Sequence, residues 1–288
     1  MAEAVREPWK AFVDTPAGTG NWYAFNVPWE RVTAAAEGWR RITAGHRKLW
    51  LCWNVNDEWC LLQQKLVAEV GWTPLVGWDP MCGVGRPPLA PGALPVDFGA
   101  SLGLSGLFMH VPLELAFLWI DDRLAFWHSD LVLRRARMRW LAARFDRLKD
   151  GETTAVFSYG GLRNVLRFAA HRYWELAGCT TQGASRSQFE HGSGWWKNIA
   201  YHPNAPRDVE EQQRRKALFR EHGVGIRYWE RRYGGKVHRL SERRLAEGHF
   251  SVTTVPDYQR ASTKSEEMAL NFDLRKIALD FGISDLVG

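Results

Sequence analysis

Apolar and polar positions alternate along the chain in blocks whose lengths separate helices from strands. Over Trp29–Thr43, WERVTAAAEGWRRIT, apolar and aromatic residues recur at helical intervals and predict a helix. KLWLCWNV (48–55) is a continuous apolar run of strand length that ends in the polar cluster Asn54–Glu58. EWCLLQQKLVAEVGW reads as a helix stopped at Gly71, and TPLVGWD as a second short strand that ends on Asp79. Strand, helix and strand in succession begin an α/β fold with a mainly parallel, mixed sheet flanked by helices.

Residues 80–106 contain PMCGVGRPPLAPGALP, too rich in Pro and Gly for a regular element, and read as a functional loop. MHVPLELAFLWI predicts a short buried helix, with Pro112 confined to its first turn. RLAFWHSDLVL then reads as a strand, and a basic amphipathic helix follows from about Arg134 to Leu148. TTAVFSYG (153–160) and RYWELAGCTT (172–181) read as later strands, and Ser185 suits the N-cap of a helical turn. Beyond about Arg207 the chain turns charged: VEEQQRRKALFREHG is helical, YGGKVHRLSERRL carries a turn and a basic face, and the tail has helical spacing. The expected organisation is an N-terminal extension and helix over 1–47, an α/β core over 48–206, and a helical, basic region over 207–288 packed on that core.

Composition narrows the class without naming it. A chain of 288 residues, 45% hydrophobic and 24% charged, can bury a substantial core as one large domain or two intimate ones. The four cysteines, Cys52, Cys60, Cys82 and Cys179, form no CxxC pair, and MAEAVREPWK is too polar for a signal peptide. No apolar run approaches the roughly 18–20 residues that span a bilayer. Reduced thiols in a soluble, cytoplasmic protein are therefore expected. A net charge of +6 suits an anionic partner: a nucleotide diphosphate, lipid headgroups in peripheral contact, or nucleic acid. The 16 tryptophans either fill the core or line a pocket, and Trp195, Trp196 and Trp229 lie in the most polar surroundings.

Three polar strand ends carry the candidate chemistry. In an open parallel sheet ligands bind beyond the carboxyl ends of strands, where Asn54, Asp79 and Asp130 are all expected. Asp130 closes the triplet His128-Ser129-Asp130, able to hold a divalent cation or simply to bond nearby backbone or an Arg. His suits Mn²⁺ and is rare around Mg²⁺. A second constellation, RYWELAGCTTQGASRSQFEHGSGWWKN, offers glycines for close backbone approach, hydroxyls on Thr180, Thr181 and Ser185, carboxylates on Glu175 and Glu190, and the plates Trp195 and Trp196. It is either a sugar site or a glycine-rich turn leading into a core helix. His202, in YHPN, is a late metal ligand, a phosphate contact or a surface residue. A hydrolase built on Asp57, Asp130 and His202 lacks any HxH, HxxxH or HExxH pair, and the glycines of GVGRPPLAPG lack the strand-then-helix context of a phosphate cradle.

Over about residues 48–205 this order resembles a GT-A glycosyltransferase: strand, helix and strand ending on Asp79, a middle strand closing on His128-Ser129-Asp130, and a Gly-rich segment with aromatics. The resemblance implies transfer of a sugar from a UDP- or GDP-linked donor to an acceptor, with no nucleic acid as partner. It implies nucleoside contact by Asp79, with Asn54, Ser129 and Asp130 around the nucleotide. Metal and diphosphate would lie on His128 and Asp130, with His202 as a further ligand. The sequence departs from the pattern in placing His128 where an acid is expected. The cation is then Mn²⁺ or Mg²⁺, or the transfer is metal-independent and Lys197, Arg227 and Arg231 neutralise the leaving diphosphate. An inverting enzyme would use Glu190, or else Glu175, as base toward the acceptor hydroxyl. The alternative is a non-catalytic carbohydrate-binding protein with a Trp-lined cleft, docked on an anionic surface through Arg231, Arg232, Arg243 and Arg244.

Overall fold

The computed structural model describes residues 9–14, 22–78, 85–104, 109–157, 173–195, 204, 223–250 and 273–287. A hairpin of β1 (Trp9–Asp14) and β2 (Trp22–Val27) precedes α1 (Trp29–Thr43). The next three elements are β3 (Lys48–Asn54), α2 (Asp57–Glu69) and β4 (Thr73–Trp78). α2 starts where it does because the Asn56 side chain accepts from the backbone N–H groups of Glu58 and Trp59, and Asp57 and Glu58 suit its positive end. A two-residue β5 (Leu94–Pro95) leads to three short helices, α3 (Phe98–Leu102), α4 (His110–Glu114) and α5 (Ala116–Trp119). β6 (Arg123–Trp127), α6 (Arg135–Asp146), β7 (Glu152–Phe157), β8 (Tyr173–Thr181) and α7 (Gln182–Glu190) follow. The described C-terminal part holds α8 (Val224–Tyr233), β9 (Lys236–Ser241) and α9 (Leu274–Asp280).

β3 to β9 form one seven-stranded sheet in the order β5-β4-β3-β6-β8-β7-β9. β5, β4, β3 and β6 are mutually parallel, β8 runs against both β6 and β7, and β9 is parallel to β7. The protein is therefore α/β with a mixed, mostly parallel sheet. Strands covered on both faces read as unbroken apolar runs, and β3 is buried from Leu49 to Asn54. Most of the described tryptophans fill this core: Trp50 packs its ring 5.5 Å from Trp72 and 5.1 Å from both Trp127 and Phe145. Cys52, Cys60 and Cys179 are buried free thiols, and burial pushes Cys60 up to about 12. Among the described residues no helix is long and apolar enough to cross a membrane.

Several segments differ from their sequence pattern for local reasons. The N-terminal stretch without periodicity contains the paired strands β1 and β2. The Pro-rich stretch after β4 still donates β5 to the sheet edge, where Val76 O accepts from Val96 N. MHVPLELAFLWI breaks into α4 and α5 at Leu115. α7 begins at Gln182, and its N-cap is Thr181, whose Oγ1 accepts from Ala184 N, four residues before the expected cap Ser185. KVHRLS is a strand within a region expected to be helical, and β9 ties that region into the core sheet. The helix expected over VEEQQRRKALFREHG lies outside the described residues.

Candidate functional site

β3 lies between β4 and β6, so connections leave its carboxyl end toward one side and those of β6 toward the other. A crevice opens outside the carboxyl ends of such a pair, and ligands of open α/β sheets bind there. Asn54 ends β3 at this edge, and β6 runs out there into His128 and Asp130. β8 runs the other way and enters at the same edge, where His128 N donates to Leu176 O at 3.0 Å. The segment after β9 returns to it as well. Leu131 bridges His249, Val132 N donates to Gly248 O at 2.9 Å, and Phe250 N donates to Asp130 O at 3.0 Å.

Three of these chain segments bring His128, Asp130, Glu175 and His249 into one cluster. Asp130 Oδ1 lies 3.5 Å from His128 Nδ1 and 3.4 Å from His249 Nε2, while His128 Nε2 faces Glu175 Oε1 at 3.6 Å. Burial disfavours the His128 imidazolium, but Asp130 and Glu175 outweigh it and raise the ring to about 9. Burial likewise raises the Asp130 carboxyl, and His128 and His249 reverse this, holding it well below the usual carboxylate range. The loop itself is pinned from α2. Gln63 is fully buried, and its Nε2 donates to the carbonyls of His128 at 2.8 Å and Leu131 at 2.9 Å.

His128, Asp130 and His249 each offer a ligand atom, and these atoms all lie within 4.8 Å of one another. Asp130 Oδ1 is buried, and among the described residues it faces the two imidazoles at ion-pair distance without a hydrogen bond of good geometry, an oxygen open to a cation. His128 presents Nδ1 to the cluster and Nε2 to Glu175, the carboxylate–histidine arrangement that orients a metal-ligating ring. Two imidazoles and one carboxylate suit Mn²⁺ or Zn²⁺ better than Mg²⁺.

Comparison with protein-family models, with curated proteins and with solved structures returned no match.

The structure gathers some of the expected residues and separates others. Asn54 is buried at the edge, donating from Nδ2 to Asp57 Oδ1 at 2.9 Å and to Gly85 O at 3.4 Å. Ser129 lies in the turn between His128 and Asp130. Asp79, Trp196, Lys197 and His202 lie outside the described residues. Thr180 and Thr181, expected beside a sugar, pair with Leu124 and Arg123 at the start of β6 and so lie at the opposite sheet edge. Both are fully buried, with Thr181 Oγ1 donating to Glu152 O at 3.0 Å. The antiparallel course of β8 separates them from Glu175 on the same strand.

Trp195, expected as an acceptor platform, is a core ring 1% exposed and 4.7 Å from Phe126. Trp229 is buried too, with Nε1 donating to Ser187 Oγ. Glu190 is exposed at the end of α7, outside the cluster. Arg227, expected on the diphosphate, pairs with Glu230 and lies over Phe157. The nearby glycines serve internal packing. A Cβ at Gly178 would stand 2.5 Å from Phe126 Cζ, and one at Gly194 would collide with the Glu114 carboxylate. His249 went unread in the sequence because EGHF carries no ligand motif; the bridge to Leu131 and the backbone bonds on either side bring it to Asp130.

Proposed function

We propose that the protein is a GT-A-like glycosyltransferase that moves a sugar from a nucleotide diphosphate donor to an acceptor. The observation that supports this most is the His128–Asp130–His249 cluster at the strand-order switch of a mixed sheet. The GT-A resemblance calls for a metal-binding triplet at the end of a middle strand and for a later histidine. His249 takes the second part, in place of His202. His128, Asp130 and His249 would hold Mn²⁺, which when bound supplies positive charge to a leaving diphosphate. Asp130 contributes the anionic ligand, and Glu175 orients His128 through Nε2. Glu175 is thus a positioning carboxylate rather than the base toward the acceptor. Asn54, at the neighbouring strand end, keeps a buried Oδ1 without a partner among the described residues, a candidate acceptor for a nucleotide N–H or O–H.

The test is a calorimetric and thermal-shift series with UDP- and GDP-sugars, with and without Mn²⁺. Nucleotide binding that requires Mn²⁺, and that disappears in both Asp130→Ala and His249→Ala, is expected. Absence of nucleotide binding at saturating Mn²⁺ would overturn the proposal. The His–His–carboxylate donor set itself favours one second reading, a metal-dependent hydrolase, since three protein ligands with an open position are what catalytic zinc sites use. Tight Zn²⁺ binding with no nucleotide effect would select it. A Trp-lined carbohydrate cleft has less support, because Trp195 and Trp229 are core rings.

A further inference from the structure

Away from the site, α6 turns an arginine-rich face outward, and Trp140 stands at its centre. The guanidinium of Arg137 lies 5.5 Å from the Trp140 ring centroid, that of Arg144 5.8 Å, and that of Arg244, from the turn after β9, 5.1 Å. Positions 137, 140 and 144 share one helix face. Three like charges around one ring repel each other, and among the described residues none of the three has an ion-pair partner. Such a cluster is stabilised by an outside anion that accepts several guanidinium N–H groups, as phosphate oxygens do.

A second, apolar feature lies at the end of α9, which is tied to the start of α6. Arg134, just before α6, donates from Nη1 to Asp280 O at 2.7 Å and lies 4.6 Å over the Phe281 ring, tying α6 to the end of α9. On that end Leu279 is 69% exposed, well above Ile42 at 44% and Leu89 at 36%. Arginines without ion-pair partners among the described residues, a partly exposed Trp and a bare leucine are the groups that enter a headgroup layer. Aromatic rings settle at the interface, cations meet lipid phosphate, and the aliphatic chain reaches the acyl boundary. A nucleic acid would use Trp140 differently, stacking a base on its face, but guanidinium groups already lie over that face.

We infer that the face formed by α6, the turn carrying Arg244 and the end of α9 docks on a bilayer surface containing anionic phospholipid. The turn carrying Arg244 leads directly to His249, so the docked face borders the candidate site. The inference stands apart from the donor chemistry, and its test needs neither nucleotide nor metal. The full chain is sedimented with phosphatidylcholine vesicles, with vesicles that also contain phosphatidylglycerol, and, in competition, with heparin. Binding to the anionic vesicles and not to the neutral ones is expected, with heparin competing for the arginines. Each arginine near such a surface is worth roughly 1 kcal/mol, so Arg144→Gln/Arg244→Gln should weaken it about 30-fold. Leu279→Gln should weaken it about tenfold and leave heparin binding unchanged. Circular dichroism verifies that these exposed substitutions keep the fold. Equal binding to neutral vesicles, binding to heparin but not to lipid, or vesicle binding unchanged in both variants would each overturn the inference.

Discussion

Gln63 has no exposed surface, and its one amide group bonds both ends of the loop that carries His128 and Asp130. Replacing it by Leu leaves two carbonyls inside the protein without their donor. A buried acceptor stripped of its partner costs about 1–3 kcal/mol. Gln63→Leu should therefore lower the free energy of unfolding in urea by that amount and, at the proposed metal site, weaken stabilisation by Mn²⁺, since the loop no longer fixes Asp130. Unchanged stability together with unchanged Mn²⁺ response would remove the pinning role. Residues of this kind are hard to read from sequence. In EWCLLQQKLVAE the glutamine opens the polar run Gln63-Gln64-Lys65, which reads as a solvated turn of helix, and its partners are carbonyls 65 and 68 residues away. His128 and Asp130 were legible because they end an apolar run. His249 was not, because nothing in its neighbours marks it.

Among elements, legibility follows burial. α1 and β3 were predicted at nearly their observed limits because the core dictates almost every letter of β3 and a whole face of α1. β9 was missed because it is a sheet-edge strand in which only Leu240 is buried, so KVHRLS shows no apolar run. What holds this edge is partly electrostatic. The Glu152 carboxylate on β7 pairs with Lys236 and with His238 Nε2 on β9. The Lys236 contact outweighs burial and, with the Lys149 N–H and His238, draws Glu152 from 4.5 down to about 2. A carboxyl lowered in the folded state stabilises the protein above its unfolded value, and that contribution is lost as pH falls through about 4.5 toward 2. Lys236 and His238 are largely exposed, so screening reduces the effect to about 1 kcal/mol. Urea unfolding at about pH 6 and about pH 3 should show wild type losing roughly that much more stability than Glu152→Gln. Parallel losses in the two proteins would mean the contacts add nothing to the β7–β9 edge.

At the scale of the whole molecule, the strand–helix–strand rhythm was enough to give the α/β class, since it needs only local pattern. The boundary expected near residue 206 came from a change in composition, and composition is silent about pairing between distant strands. β9 is hydrogen-bonded along β7 from Lys236 opposite Glu152 to Ser241 opposite Phe157. Ile226, Leu240 and Leu245 from the same region are buried in the common core, and His249 completes the cluster on Asp130. β9 is thus part of the sheet that builds the site, and the described residues around it share that sheet's core. A chain cut after residue 206 would open β7 as a bare edge and uncover the apolar surface beneath Ile226 and Leu240. It should lose its near-ultraviolet circular dichroism, bind a hydrophobic dye and unfold without a sharp transition, whereas the full chain should unfold cooperatively. A truncated chain that kept native near-ultraviolet bands and one steep transition would show that β3 to β8 close without β9. His249 would then be reaching Asp130 from a separable unit, and the site would form only on docking.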